Sequence, residues 1–478
     1  MDFQKSKRFF LILTATYWAF VCMIYVVAQE QFRFTHVLGD SLSAMGTIGD
    51  IHPGQTVTQR VITPAESITG VDLLGYVTQG PAVMEARLYN SSGEEVAMGT
   101  SDLSLLQAGQ YFTLPVSQSA PVAQGESLTL VIRMQTGAMT IQYGNMISVG
   151  RFDIPQDIST EDCYTVDSYT GNGKLCIRLS GIRSLSFYKY YWALVGGVFL
   201  AFCIAYVLAL RKAKRGVNSA MATAFSLFTR YRFLLKQLIN RDFKTKYKRS
   251  VLGMCWSFLN PLLSMGVQYA VFSTLFRSGM PNYSVYLLIG IVFFNFFSEA
   301  VSMGMTSITG NAALIKKVYM PKYIYPISKL FSSLINLGLT MIPLILVMLL
   351  TGLTPKASLL LLVFDILCMM GFVLGMIFLL STAMTFFQDT QFLWGVVSMM
   401  WMYLTPIFYP ETIIPQNLLT LFHMNPMYQF ITFARICIID GNSPEPMAYL
   451  WCILCSVVVL SLGILVFRKH QNEFVLHL

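Results

Sequence analysis

Long apolar runs dominate both ends of this chain, with a stretch of short alternating segments set between the first two of them. Lys5, Lys7 and Arg8 precede a run from Phe9 to about Ala28, close to the ~20 residues that cross a bilayer as a helix. The pattern predicts a span kept as an anchor. A cleaved signal peptide ending near Val26-Val27-Ala28 is the rival, although the run is long for one. From about Glu30 to Lys189 the period falls to two, as in Gln55 to Val61, Val71 to Val77, Val83 to Tyr89, Leu128 to Met134, Met139 to Tyr143 and Lys174 to Leu179. Turn-rich breaks such as Asn90-Ser91-Ser92-Gly93 separate these segments, which predicts one all-β sandwich, jelly-roll-like. Glycan binding and protein docking stand side by side as its roles.

A second span runs from Tyr190 to about Leu210, entered through the aromatic belt Phe187 to Trp192 and left through Arg211, Lys212, Lys214 and Arg215. Residues 222–240 follow a helical period, with Leu227, Phe228, Tyr231, Leu234, Leu235 and Leu238 on one face and Arg232 and Lys236 opposite. This segment is too polar to span and is expected to lie along the membrane surface, its apolar face in the headgroup boundary. Arg241 to Arg249 form a dense cationic threshold, and beyond it come six more expected spans, at about 255–277, 284–305, 328–350, 357–383, 391–409 and 448–467. Segment 410–447 is too apolar for a free loop and is broken by Pro410, Pro415, Pro426 and Gly441. Leu418 to Phe422 and Met427 to Ile439 are expected as short helices re-entering the membrane, which irregular backbone does only against protein or a water-filled cavity.

The expected fold class is therefore an α-helical polytopic membrane protein of about eight spans, with an inserted all-β sandwich. Its divisions are 1–29, 30–189, 190–210, 211–250 and 251–478. Composition agrees: 55% of the 478 residues are hydrophobic and only 12% are charged, against about 25% in a soluble chain. Lys and Arg cluster at the ends of apolar runs, which places both termini in the cytoplasm and the β-domain outside. The net charge of +9 is spent on helix orientation and anionic lipid, so nucleic acid is not an expected partner.

Several chemistries are excluded by what the chain lacks. The sole Gly-Lys pair, Gly173-Lys174, has Ser168 in place of the first P-loop glycine and Leu175 in place of Ser or Thr. The five histidines have no metal spacing, and no G-x-S-x-G elbow occurs. Cys163 and Cys176 flank a turn-rich stretch, and a disulfide and two separate thiols are both open there. Two acids fall at membrane depth, where a charge is costly and by default functional. Glu299 lies among aromatics near Asn295, Phe296 and Ser298 and is read as part of a pathway; Asp365 is read as a packing residue bonded to a neighbouring helix.

From about residue 230 onward the ordered motifs are Leu238 to Lys244 with Tyr247 to Gly253, Trp256 with Asn260-Pro261-Leu262, Asn311 to Lys322, Thr405-Pro406-Ile407-Phe408-Tyr409-Pro410, and Asn425-Pro426-Met427. In that order they resemble the membrane subunit of ABC-2 exporters of polysaccharides, the O-antigen and teichoic-acid permeases. The resemblance implies a non-enzymatic homodimer in a bacterial cytoplasmic membrane, working with two copies of a separate ATPase that carries ATP and magnesium. Its implied substrate is a glycan on a polyprenyl pyrophosphate, with a smaller lipid or drug as the alternative within transport. It further implies entry and lipid-headgroup contacts at Arg241, Lys244, Lys246, Lys248 and Arg249, and ATPase coupling at Asn311, Lys316, Lys317, Pro321 and Lys322. Trp256, Asn295, Phe296, Glu299, Tyr403 and Phe408 are the candidates for lining a substrate path. The first two spans and the sandwich depart from the six-span pattern, and no neighbouring Arg accompanies Phe387-Gln388-Asp389-Thr390. A membrane-bound glycan transferase is the rival from another class, with Glu30, Asp40 and Asp50 as its acids.

Overall fold

In the computed structural model the described residues are 3–38, 42–43, 46–103, 111–144, 146–149, 152–155, 162–167, 169–171, 173–185, 187–214, 231–247, 253, 255–276, 282–317, 320–409, 411 and 421–478. Two compact units emerge, one made by the β-rich region 32–187 and one by the helices before and after it.

The β unit is built on two long strands that pair antiparallel. These are β3 (Ser67–Tyr89) and β6 (Ser127–Gly144), joined by β1 (Phe34–Leu38), β2 (Thr56–Ile62), β4 (Glu95–Asp102), β5 (Tyr111–Pro115) and β7 (Ile177–Ser184). The first half of β3 pairs with β7 and β5, and its second half with β4. Between the halves the β3–β6 register shifts at Val77, Gln79 and Val83, so the sheet bends and closes over itself. Gly137 sits at that bend with φ +70°, where a Cβ would run into the backbone of Gln79, Pro81 and Ala82. Residues from both halves of β3, such as Val71, Leu73, Met84 and Leu88, share one core with Leu130, Ile132 and Leu179. The expected alternating segments are thus strands, but two pairs of them fuse into β3 and β6. Cys163 and Cys176 are not joined: Cys176 is fully buried, and burial pushes its thiol pKa up to about 11.

In the helical unit, α1 (Phe3–Arg33) and α2 (Phe187–Lys214) form a pair. Tyr17 Oη donates to Val195 O at 2.9 Å and Tyr191 Oη to Val21 O at 2.8 Å, while Phe10 stacks on Tyr206. The remaining elements are α3 (Arg232–Tyr247), α4 (Cys255–Phe276), α5 (Tyr283–Met305), α6 (Ala312–Lys317), α7 (Ile324–Leu350), α8 (Leu362–Phe386), α9 (Thr390–Tyr403), α10 (Pro426–Arg435), α11 (Pro446–His470) and α12 (Phe474–His477). Helix α5 is apolar nearly all round and is buried accordingly, at the centre of the unit. Helices α8 and α11 approach closely because Gly375 and Gly463 face each other, and a Cβ on Gly463 would strike the Gly375 backbone.

Among the described residues, six helices are long and apolar enough to cross a membrane: α1, α2, α5, α7, the run Ala357–Phe386 that includes α8, and α11. The expected span 255–277 is helical as α4, with Pro261 inside it. The expected span 391–409 is helical only as α9, whose 14 residues reach about 21 Å, short of a ~30 Å hydrocarbon layer. Pro406 cannot continue the helical ladder and disfavours helix at the residue before it, so the chain leaves the helix at Leu404.

The expected helix Met427 to Ile439 appears as α10 followed by a π-helical turn, Ile436–Asp440. Of the expected Leu418 to Phe422 helix, residues 418–420 lie outside the described ones. Helix α3 differs from expectation in what covers it. Leu235 and Leu238 are buried in a protein core with Ile308, Tyr325, Phe378 and Phe467, rather than facing lipid headgroups. Leu227 and Phe228 lie outside the described residues.

Candidate functional site

The last turns of α3 carry alternating charge, and the same apolar face that seats Leu235 and Leu238 turns Asp242 inward. The Asp242 side chain is 6% exposed and is gripped by two cations, Arg241 Nη2 at 3.0 Å from Oδ1 and Lys329 Nζ at 2.9 Å from Oδ2. Arg241 Nη2 also donates to Asn311 Oδ1 at 3.1 Å, and Asn311 Nδ2 donates in turn to Ser307 O at 2.8 Å. The arrangement ties α3 to α7 and to the turn before α6.

One turn further along, Lys246 Nζ lies 2.7 Å from Glu299 Oε1. The second Glu299 oxygen accepts from Asn336 Nδ2 at 2.8 Å, and Asn336 Oδ1 accepts from Ser257 Oγ at 2.7 Å. Four helices, α3, α4, α5 and α7, are therefore linked through one carboxylate and one amide. Between the two ion pairs opens a cleft of about 460 Å3 lined by Asp242, Thr245, Lys246, Glu299, Met303 and Lys329. Two carboxylates face two ammonium groups across it, so the lining is close to neutral and its charges are already matched.

These contacts redistribute the expected roles. Glu299 lines the cleft and is also the hub of an interhelical network. Arg241, Lys244 and Lys246 are all exposed, Arg241 and Lys246 also being ion-paired to Asp242 and Glu299, and Lys248 and Arg249 lie outside the described residues. Of the path candidates, Trp256, Asn295 and Tyr403 are exposed, whereas Phe296 and Phe408 are buried, Phe408 stacked on Phe272 with centroids 5.4 Å apart. Among the coupling candidates, Lys316 and Lys317 are exposed on the short α6, and Asn311, in the turn before it, is buried. Pro321 and Lys322 are half-buried. Lys322 Nζ donates to Gln471 O and lies over the Phe474 ring, and burial pulls its pKa down. Asp365 is fully buried, but neither carboxyl oxygen has a hydrogen-bond partner, so the expected bond to a neighbouring helix is absent. No cluster of metal-ligating side chains occurs among the described residues.

Lys329, Asn336 and Ser257 were not singled out by sequence reasoning. Lys329 had a usable signal, being a cation just inside the expected span 328–350, where a charge requires a partner. Asn336 and Ser257 had none, since single polar residues in apolar helices are common.

The ABC-2 type transporter family matches residues 233–439, which takes in α3 through α10 and the whole network. An O-antigen export system permease protein RfbA of Klebsiella pneumoniae is 30% identical over 247 residues, covering 50% of this chain and 93% of the relative. The RfbA of Myxococcus xanthus is 29% identical over 51% of this chain and 95% of the relative. The polysialic acid transport protein KpsM of Escherichia coli is 21% identical over 50% of this chain and 93% of the relative.

Proposed function

Because the chain belongs to the ABC-2 type transporters, as a polysaccharide-export permease subunit, we propose that it moves a glycan carried on a polyprenyl pyrophosphate outward across a bacterial cytoplasmic membrane. The work is done by two copies of a separate ATPase bearing ATP and magnesium, acting on a homodimer of this chain. Both termini and α3 face the cytoplasm, and the β unit lies outside, by the distribution of Lys and Arg.

The observation that carries this reading is the Lys246–Glu299–Asn336–Ser257 chain. A motor pressing on the exposed Lys316 and Lys317 of α6 would push on Asn311, which is bonded to Arg241 of α3. From α3 the displacement passes through Glu299 and Asn336 into three helices of the bundle. The exposed Arg241, Lys244 and Lys246, together with Lys248 and Arg249, supply cations for the substrate's pyrophosphate and for anionic lipid.

Purified chain in proteoliposomes is expected to hydrolyse no ATP alone. With its cognate ATPase it should transfer a fluorescent lipid-linked glycan across the bilayer only when ATP is present. Robust hydrolysis by the lone chain, or transfer of glycosyl units onto an acceptor, would sink the reading in favour of an enzyme.

A further inference from the structure

The stretch that follows α9 is irregular backbone in an apolar setting, with Thr405, Ile407 and Phe408 all buried. A carbonyl left unpaired there costs several kcal/mol, so each one must find a donor. All six from Leu404 to Tyr409 do. Asn425 Nδ2 donates to Leu404 O at 3.3 Å, and the Ile407 amide to Thr405 O at 2.7 Å. The remaining four are met by three side chains. Arg435 Nη1 donates to Pro406 O at 2.8 Å and Arg435 Nη2 to Ile407 O at 3.1 Å. Tyr283 Oη donates to Phe408 O at 2.6 Å, and Tyr286 Oη to Tyr409 O at 3.0 Å.

Arg435 is the unusual member. It is 7% exposed, no carboxylate among the described residues pairs with it, and its charge is met by carbonyls and by the Tyr286 ring, whose centroid lies 3.4 Å from Cζ. Its Nε has no partner. A buried guanidinium held this way costs desolvation that an ordinary packing residue would avoid, so its position calls for a use. Gly290 on α5 completes the fit, since a Cβ there would meet Ile407 at 2.8 Å and the guanidinium at 3.1 Å.

We propose that Arg435, with Tyr283 and Tyr286, is a positioning clamp that holds the 404–409 break against α5 and α10, and that releasing this clamp is part of opening the far end of the permease. The last clause rests on the export reading; the clamp itself does not. A planar fork serves two successive carbonyls at once, which an ammonium cannot reproduce. Two tyrosine hydroxyls serve the next two, so the segment is held by side chains that can let go together, whereas a helical ladder could not.

The test uses purified full-length chain in detergent, carrying Ile407→Cys as a reporter, with maleimide labelling read at that peptide. The native thiol Cys452, buried on α11, serves as the control for the fold as a whole. Arg435→Gln is expected to speed labelling at position 407 roughly tenfold or more, with Tyr286→Phe and Arg435→Lys giving smaller increases. Cys452 should label at the parental rate in every variant. Should Arg435→Gln not accumulate, the two milder variants decide. Unchanged labelling at 407 in the variants, or acceleration at 407 and Cys452 together, overturns the clamp. In cells, Arg435→Lys at parental abundance is expected to reduce glycan export severalfold, and full export alongside fast labelling overturns the link to opening. Labelling needs neither ATP, glycan nor ATPase, so failure of the export reading would leave its result standing.

Discussion

The two ion pairs beside the cleft differ in burial, and their removal should differ in consequence. Lys246 and Glu299 are 35% and 26% exposed, so solvent screens them and Glu299→Gln is expected to cost about 1 kcal/mol of stability. Export should fall by more than that loss explains, because the neutral amide no longer draws Lys246 toward Asn336. Asp242→Asn removes the one anion between Lys329 and Arg241, and with Lys329 only 16% exposed the cost is expected to be on the order of 3 kcal/mol. Thermal unfolding of the two variants in one detergent ranks them; equal midpoints would contradict the assignment. At this scale the sequence announces that Glu299 needs a partner, since a carboxylate at membrane depth is expensive. It cannot name Lys246 or Asn336, which lie 53 and 37 residues away and meet Glu299 only through packing.

Helix α3 shows the same division one level up. Its apolar period is written in the chain, and Leu235 and Leu238 are on the face that periodicity assigns. Whether lipid or protein covers that face is not encoded locally, because both offer the same apolar surroundings. The partners Tyr325, Phe378 and Phe467 belong to three different later helices. Leu235→Ala or Leu238→Ala is therefore expected to cost about 2–5 kcal/mol and to loosen α3, as any core truncation would. Phe233→Ala should cost almost nothing in stability, the side chain being 72% exposed. If membrane insertion alone held α3, the three variants would behave alike in detergent, and a proteolysis series across α3 distinguishes the cases. The broken span 391–409 follows the same logic: Thr405-Pro406 announces a break, but the side chains that satisfy its carbonyls come from α5 and α10.

For the whole molecule, the division into a β unit and a helical unit is legible because the period of the apolar pattern changes from two to continuous at each boundary. The joining of separate alternating segments into β3 and β6 is not, since bulges at Val77 to Met84 carry no turn chemistry beyond Gly80-Pro81. Among the described residues, the core around Val71, Leu73, Leu88, Leu130 and Ile132 is drawn from the β unit itself. Segment 32–186, expressed alone, is therefore expected to unfold in one cooperative transition. Cys176 gives that experiment an internal reporter. Burial raises its folded-state pKa to about 11, so at neutral pH the thiol stays protonated and should resist alkylation in the native segment. On unfolding its pKa returns toward the ordinary ~8.5, and alkylation should become fast. Because the folded pKa is the higher one, this contribution to stability is present at neutral pH for the neutral thiol and is lost only on the high side, as the unfolded form ionises. A segment whose Cys176 alkylates at the unfolded rate in native buffer would show that this core needs the rest of the chain, and the domain would then have to be studied in place.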